Sequence, residues 1–195
     1  DSNPAKRDLK VDALIGSPEF VDKWTMFFGD LFRVNAQSQS VNRSIPGRDA
    51  FYVYLGDSIA QNKPYDLLAR ELITAAGDTF VRGDANWPVG NTVAMGPPQD
   101  TYDGHAVNFA SMFLGVNVVD CLLCHDGARQ LDSVNLWGSQ QTRQNMWGLS
   151  AYFSRVRMQR QVVTAVPQVQ KYIVSDVAVG EYQINTTTGN RSARQ

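Results

Sequence analysis

The sequence predicts a mainly α-helical domain that ends in a small β-hairpin. Over most of the chain, apolar residues recur at spacings of three and four, which is the period of one helical face. From Val169 onward the pattern changes to β-branched and aromatic residues, which favour strands. The chain has 195 residues with an apolar fraction of 43% and an aromatic fraction of 10%, so it can form one packed domain.

Three helices are predicted in the N-terminal half, after a polar arm over residues 1–16. The first helix has its N-cap at Ser17, the second covers residues 48–60, and the third begins near Pro64 and ends near Gly77. The apolar residues expected to face the core are Phe20, Trp24, Phe27, Phe28, Leu31, Phe51, Leu55, Ile59, Leu67, Leu68, Leu72 and Ala75.

The middle of the chain is predicted to contain a long loop between helices. Residues 78–104 are rich in Gly, Pro, Asn and Asp, which is typical of an irregular segment. A loop of this length is usually functional, mobile or held by something other than protein. A helix over residues 105–116 follows, residues 121–125 are expected in the next helical turn, and the longest helix is predicted over residues 140–160.

The C-terminal segment is predicted to form the hairpin. Its β-branched and aromatic residues surround Gly180, and the polar end is expected to fray. We therefore expect two parts, a helical domain of residues 1–168 and a hairpin with a tail over residues 169–195. The second part would be a linker if a further domain follows.

Charge and hydropathy exclude two classes of function. The chain carries 18 basic and 19 acidic residues, for a net charge of −1, whereas a nucleic-acid-binding domain usually has a basic excess. No apolar run is long enough for a membrane-spanning helix. We expect neither a nucleic-acid partner nor a membrane span.

The stretch CLLCH, residues 121–125, holds both cysteines of the chain and one of its two histidines. Random placement would give C-x-x-C-H in about one such chain in ten thousand, and this pattern is the attachment sequence of a c-type haem. Cysteines three apart on a helical turn point to one side and reach the two vinyl groups of one haem edge. On this interpretation Cys121 and Cys124 form thioethers with one covalently attached haem c, and His125 binds its iron.

Three other interpretations of the motif are weaker. A redox-active C-x-x-C is expected at a strand-to-helix turn, whereas the flanking pattern here is helical. A structural zinc site needs four ligands, and His105 is the only other His or Cys in the chain. A disulfide between Cys121 and Cys124 would close a very small loop and contribute little stability. The haem interpretation is therefore favoured.

The sixth ligand of the iron has three candidates. We favour His105, because neutral imidazole is a strong haem ligand. Met158 comes next, because it ends the long helix predicted after the motif, and an open iron is third. Met112 and Met146 lie on predicted apolar helix faces and are more typical of core packing.

Four segments together resemble the planctomycete-type cytochrome c domain family. FLGVNVVDCLLCHDG resembles its F-L-G and C-x-x-C-H-D core, although the F-L-G lies two residues further from Cys121. EFVDKWTMFFGDLFRVN, NKPYDLLARELITAAGD and WGLSAYFSRV are similar to three further family segments and keep their order. Gly127 stands where the family often has a second histidine, so any role of that histidine is lost here.

The resemblance implies a helical haem-binding domain from an exported bacterial protein. With the motif, it predicts a monohaem c-type cytochrome module that transfers single electrons in the periplasm or at the cell surface, rather than an enzyme. Two alternatives are a haem-bearing accessory subunit of a larger extracytoplasmic or membrane-associated complex, and the haem domain of a multidomain enzyme. The expected partner is a redox protein or a larger protein complex.

Overall fold

The computed structural model describes residues 3–36, 41, 43–93 and 96–182. The helices in this part of the chain are α1 (Lys6–Ile15), α2 (Pro18–Leu31), α3 (Ile45–Ala60), α4 (Tyr65–Ile73), α5 (Asn86–Val89), α6 (Pro98–Leu114), α7 (Val119–Leu122), α8 (Leu136–Ser139) and α9 (Arg143–Ala151). The strands are β1 (Gly77–Asp78), β2 (Val156–Thr164) and β3 (Val169–Asp176). The predicted fold class, mainly α with a small C-terminal β-hairpin, is confirmed.

Helix α2 begins where the sequence predicts, but its aromatic stripe is only partly buried. The Ser17 hydroxyl accepts a hydrogen bond from the backbone N–H of Phe20 at 3.3 Å and caps the helix. Phe28 packs against the core, whereas the side chains of Trp24 and Phe27 are 36% and 53% exposed. The stripe is wider than the face that packs against α3. Helix α1, which forms in the predicted arm, contributes no buried residue.

The main core lies between α2, α3, α4 and the helices that follow. Phe51 and Leu55 of α3 and Leu68 and Leu72 of α4 are buried in it, as their spacing predicts. Leu67, also predicted to face the core, is exposed. Leu67 is adjacent to the buried Leu68, and adjacent positions on a helix point in different directions, so both side chains cannot face the same core.

The predicted loop over residues 78–104 is largely held by the protein itself. It contains Asp78 of β1, all of α5 and the first turns of α6, which begins at Pro98 and not at residue 105 as predicted. The buried guanidinium of Arg43 donates hydrogen bonds of 2.6–2.8 Å to the backbone oxygens of Arg33, Asn35 and Asn86. Burial lowers the pKa of Arg43 to about 10. This set of hydrogen bonds ties α5 to the end of α2.

The predicted helix over residues 140–160 is wrong in its second half. Helix α9 ends at Ala151, and β2 begins at Val156. The helical spacing of Phe153 and Val156 is coincidental, because the chain turns there and pairs with β3. Met158 therefore lies in a strand, where it packs beside Tyr172 and Val174.

The hairpin is formed by β2 and β3, and it is not centred on Gly180 as predicted. The strands pair antiparallel from Val156 opposite Asp176 to Thr164 opposite Val169. The short β1 pairs with the other edge of β3, giving the order β1-β3-β2. The division at residues 168 and 169 falls in the turn of this hairpin and stays a prediction. The predicted frayed end, residues 190–195, lies outside the described residues.

Candidate functional site

The C-x-x-C-H motif lies on one helical turn and faces outward. The backbone N–H groups of Cys124 and His125 both donate to the Cys121 oxygen at 3.1 Å. These two hydrogen bonds bring the two cysteines and the histidine together within about one helical turn. All three residues are exposed, and both cysteines are free thiols. The prediction that CLLCH lies in a helical turn is confirmed.

The opposite face of this turn is anchored in a small apolar cluster. Val119 and Leu122 are each 1% exposed and pack with Ala110 of α6 and Met146 of α9. The cluster fixes the turn against two longer helices. Met146 is a core residue, as its spacing predicts.

Helix α9 fastens the residues that follow the motif. The Asp126 carboxylate accepts a hydrogen bond of 2.8 Å from the backbone N–H of Arg143 and pairs with its guanidinium at 3.5 Å. The indole N–H of Trp147 donates to the Leu123 oxygen at 3.0 Å. The middle of the motif and the residue that follows it are thereby held by side chains whose roles the sequence analysis did not identify.

Gly127 lies where the backbone after the motif contacts the backbone of residues 138–141. Its N–H donates to the Gln141 oxygen at 2.9 Å. A Cβ atom at this position would lie 1.7 Å from the backbone oxygen of Gly138, which is far inside van der Waals contact. A histidine at position 127, where the resembling family often has one, would therefore require the loop over residues 128–142 to move.

The electrostatics around Cys121 favour its neutral thiol. The nearby Asp120 carboxylate is the main cause that raises the pKa of Cys121, and burial adds to it. A redox-active dithiol instead needs a thiol whose pKa is lowered. The described residues also contain no group of three or more His, Cys, Asp or Glu side chains placed to hold a metal ion.

Apolar side chains are exposed on the loop that follows the motif. Val134, Leu136 and Trp137 are 76%, 75% and 45% exposed, and they lie on the loop that contacts Gly127 through Gly138. The residues present therefore fit a c-type haem in two respects. Two free thiols and an imidazole are exposed within five consecutive residues, and the loop that follows them exposes apolar side chains that an apolar macrocycle could cover.

His105 lies in different surroundings from the motif. Its side chain is 1% exposed, its Nε2 is 3.1 Å from the Pro88 oxygen, and its ring stacks on Phe153 with a centroid distance of 5.4 Å. Burial lowers its pKa to about 4. The contacts of His105 are thus with α5 and the residues after α9. Its assignment as sixth ligand stays a prediction.

The second candidate ligand, Met158, is also committed elsewhere. Its sulfur lies 3.7 Å from the hydroxyl of Thr92, and its side chain packs against the buried face of the sheet. Neither candidate is in the apolar cluster that anchors the motif.

The chain belongs to a family described as PSCyt2, protein of unknown function (DUF1549), whose model matches residues 1–157. The match spans all four segments on which the sequence resemblance rests. A search of the curated proteins and a search of the solved structures each found no match. In the described part of the chain, no helix is both long and apolar enough to cross a membrane.

Proposed function

We propose that this member of the PSCyt2 family is a monohaem c-type cytochrome module that transfers single electrons outside the cytoplasm. One observation carries the proposal. Cys121, Cys124 and His125 lie within one hydrogen-bonded helical turn, all three are exposed, and both thiols are free. Covalent haem attachment needs this arrangement, because two thioethers and one axial ligand must reach the same macrocycle.

Each of the three motif residues would have its own role in holding the haem. Cys121 and Cys124 would form the thioethers, and His125 would bind the iron through its imidazole. The bound haem would supply one-electron chemistry. The raised pKa of Cys121 keeps its thiol protonated at neutral pH, which limits oxidation before attachment because the thiolate is the reactive form.

The surroundings of the motif would keep the iron ligand in place. Val119 and Leu122 anchor the turn by packing into the apolar cluster. Hydrogen bonds from Arg143 and Trp147 hold Asp126 and Leu123, which lie on either side of His125 in the chain. Because His125 is held rigidly, its position would change little when the iron gains or loses an electron. The exposed Leu136 and Trp137, on the loop that follows the motif, would lie against the haem and lower the local polarity, which is one of the ways a protein sets a haem potential.

The expected partner is a redox protein or a larger complex, and the expected location is the bacterial periplasm or cell surface. This follows from the proposed cofactor, because haem c is attached outside the cytoplasm. Near-zero net charge gives the chain no strong field to steer a partner of one sign.

A second candidate, an accessory haem subunit of a larger complex, is favoured by the exposed apolar side chains of α1 and α2. They belong to Leu9, Leu14, Ile15, Met26 and Phe27. Clustered exposed apolar residues are typical of protein contact surfaces. Size-exclusion chromatography of native material separates the two functions, because a free carrier elutes as a small protein and a subunit elutes with its complex.

Expression with a c-type haem maturation system tests the proposed cofactor. The wild-type chain should give an alkaline pyridine haemochrome spectrum of a haem with two thioethers, and Cys121→Ser with Cys124→Ser should give none. Each single cysteine variant should shift the spectrum toward a haem with one thioether. Leu9→Ala, an exposed position on α1, is the control and should retain the wild-type spectrum. A wild-type chain without haem absorbance would refute the proposal.

A further inference from the structure

The outer strand of the sheet, β2, has one open edge. One side of β2 pairs with β3, and its other side pairs with no strand in the described part of the chain. Among the described residues, positions 157–164 make no backbone hydrogen bond beyond the ladder with β3. This edge strand of nine residues therefore presents a row of N–H and C=O groups with which another extended chain can pair.

The second half of β2 extends away from the core. Residues 159–164 are exposed on both faces of the strand, and Val162 and Val163 are each 55% exposed. Proteins usually protect an open edge with Pro, Lys or a bulge. β2 contains neither Pro nor Lys, and its one register irregularity lies near the hairpin turn, between Val162 and Thr164. A further strand would cover apolar side chains that the chain itself leaves in water.

Two arginines of β2 have no acidic partner in the described part of the chain. Arg157 and Arg160 are both exposed, and β2 contains no Asp or Glu. Arg157 donates to the Tyr102 hydroxyl at 2.8 Å and to backbone oxygens, which are neutral acceptors. The open edge of β2 is therefore positively charged.

The other cations at this sheet are neutralised within the chain. Arg155, just before β2, pairs with Asp176 at 2.8 Å, and Lys171 of β3 pairs with Asp78 of β1. Opposite charges that face each other across two paired strands are favourable, and like charges are unfavourable. The unpaired charge at the open edge thus favours an added strand that carries carboxylates.

We propose that the open edge of β2 pairs with an extended, acidic segment of a partner protein. The segment adds as an antiparallel strand, the more stable of the two pairings. Two acidic residues three apart lie opposite Arg157 and Arg160, and apolar residues lie beside Val162 and Val163. A second copy of this chain fits the edge less well, because its own β2 would bring two further arginines to it.

This edge is a different site from the motif. Cys121, Cys124 and His125 lie outside the sheet, so the inference goes beyond the proposed electron transfer and does not rest on it. A chain that attaches no haem would refute the proposed function and leave the edge pairing intact. A chain that attaches haem but binds no acidic segment would do the reverse.

Fluorescence anisotropy of the dye-labelled peptide TVVTETTET, titrated with the full chain, tests the proposal. Antiparallel pairing brings its two glutamates opposite Arg160 and Arg157 and its valines beside Val162 and Val163. We expect saturable one-to-one binding. A peptide with lysine in place of both glutamates should bind more weakly by about 20-fold, because two attractions become two repulsions. Equal affinity for the two peptides, or no saturable binding of the glutamate peptide, would overturn the proposal.

Methylated peptides distinguish strand pairing from charge attraction alone. In a paired strand, the N–H groups of alternate residues point toward the neighbouring strand, and those between them point away. Two versions of the glutamate peptide are therefore compared, one with N-methyl groups at its even positions and one at its odd positions. One version should keep its affinity and the other should lose binding. Equal affinities of the two versions would show that the peptide does not add as a strand.

Variants locate the binding. Arg160→Glu, at an exposed position, should weaken binding of the glutamate peptide by about fivefold. A peptide whose first glutamate is replaced by lysine should bind this variant as tightly as the original peptide binds the wild type. Arg7→Glu, on the exposed helix α1, makes the same change in net charge and is the matched control. An equal loss in Arg7→Glu would place the binding elsewhere.

Sedimentation of the full chain tests the other occupant of the edge. We expect a species of one chain, because paired β2 strands would place arginines close together. A dimer that the glutamate peptide dissociates would show that a second copy covers the open edge, and it would overturn the assignment to an acidic partner.

Discussion

The two histidines of the chain lie in opposite surroundings. His125 is exposed on a short turn that is anchored by two buried residues on its other side, whereas His105 is enclosed by Trp87 and Phe153 and hydrogen-bonded to Pro88. An exposed imidazole can bind a ligand without disturbing the core. The enclosed one would have to give up its hydrogen bond and its stacking first. Histidine content alone therefore does not identify an iron ligand, and the surroundings of each ring must be compared.

The anchor beneath His125 should be the most sensitive part of the motif region. Leu122→Ala removes a side chain that is 1% exposed, and it should lower the free energy of unfolding by about 2–5 kcal/mol. Urea denaturation followed by circular dichroism measures the change. Leu9→Ala, at an exposed position, is the matched control and should change stability by less than about 0.5 kcal/mol. Equal effects of the two variants would contradict the anchoring role.

The enclosed His105 should make the protein sensitive to acid. Its pKa is lowered to about 4 in the folded chain from 6.5, so between these values the unfolded chain binds more protons. Stability is therefore full above pH 6.5 and falls as the pH drops toward 4, by about 3 kcal/mol in total.

Denaturation series at several pH values, with His105→Phe for comparison, check this prediction. The variant has no group that titrates at position 105, so its stability should depend less on pH over the same window. If the wild type and His105→Phe lost stability in parallel as the pH fell, the acid sensitivity would not come from His105, and the prediction would be wrong.

Substitution of two glycines near the motif by alanine should change the free energy of unfolding in opposite directions. Gly127→Ala places a Cβ against the backbone oxygen of Gly138 and should lower the free energy of unfolding by about 1–3 kcal/mol. Gly148, in α9, has no neighbouring atom within 4 Å of an added Cβ, so Gly148→Ala should raise stability by up to about 1 kcal/mol. Thermal unfolding of both variants tests the contrast, and a stabilising Gly127→Ala would show that the loops can separate.

The bond between Asp126 and Arg143 should give the smallest effect. Asp126→Ala removes an exposed ion pair and one hydrogen bond to the backbone, with an expected loss of about 1 kcal/mol or less. Asp126→Asn keeps an acceptor oxygen and should recover much of that loss. If Asn is as destabilising as Ala, charge rather than the hydrogen bond holds the loop.

The motif was predictable because its geometry is local. Cys121, Cys124 and His125 lie within five consecutive residues, so a single helical turn brings them together whatever the rest of the fold. The surroundings of His105 were not predictable, because Trp87, Pro88 and Phe153 come from parts of the chain that are far apart in sequence. The contacts that hold the motif were not predictable for the same reason. Asp126 and Arg143 are 17 residues apart and are brought together only by the loop between them.

The errors in the predicted fold have similar causes. The predicted helix through Val156 fails because β2 depends on pairing with β3, and helical spacing contains no information on that pairing. The helix predicted from residue 105 begins at Pro98 instead. Proline favours the first helical position, so the signal for this earlier start was present in the sequence.

The mass of the denatured wild-type protein, expressed with a c-type haem maturation system, tests the central claim most directly. Thioether bonds survive denaturation, whereas a coordinated haem is released. The account predicts a mass equal to the polypeptide plus one haem, and the mass of the bare polypeptide for the variant with Cys121→Ser and Cys124→Ser. A wild-type mass equal to the bare polypeptide would contradict it.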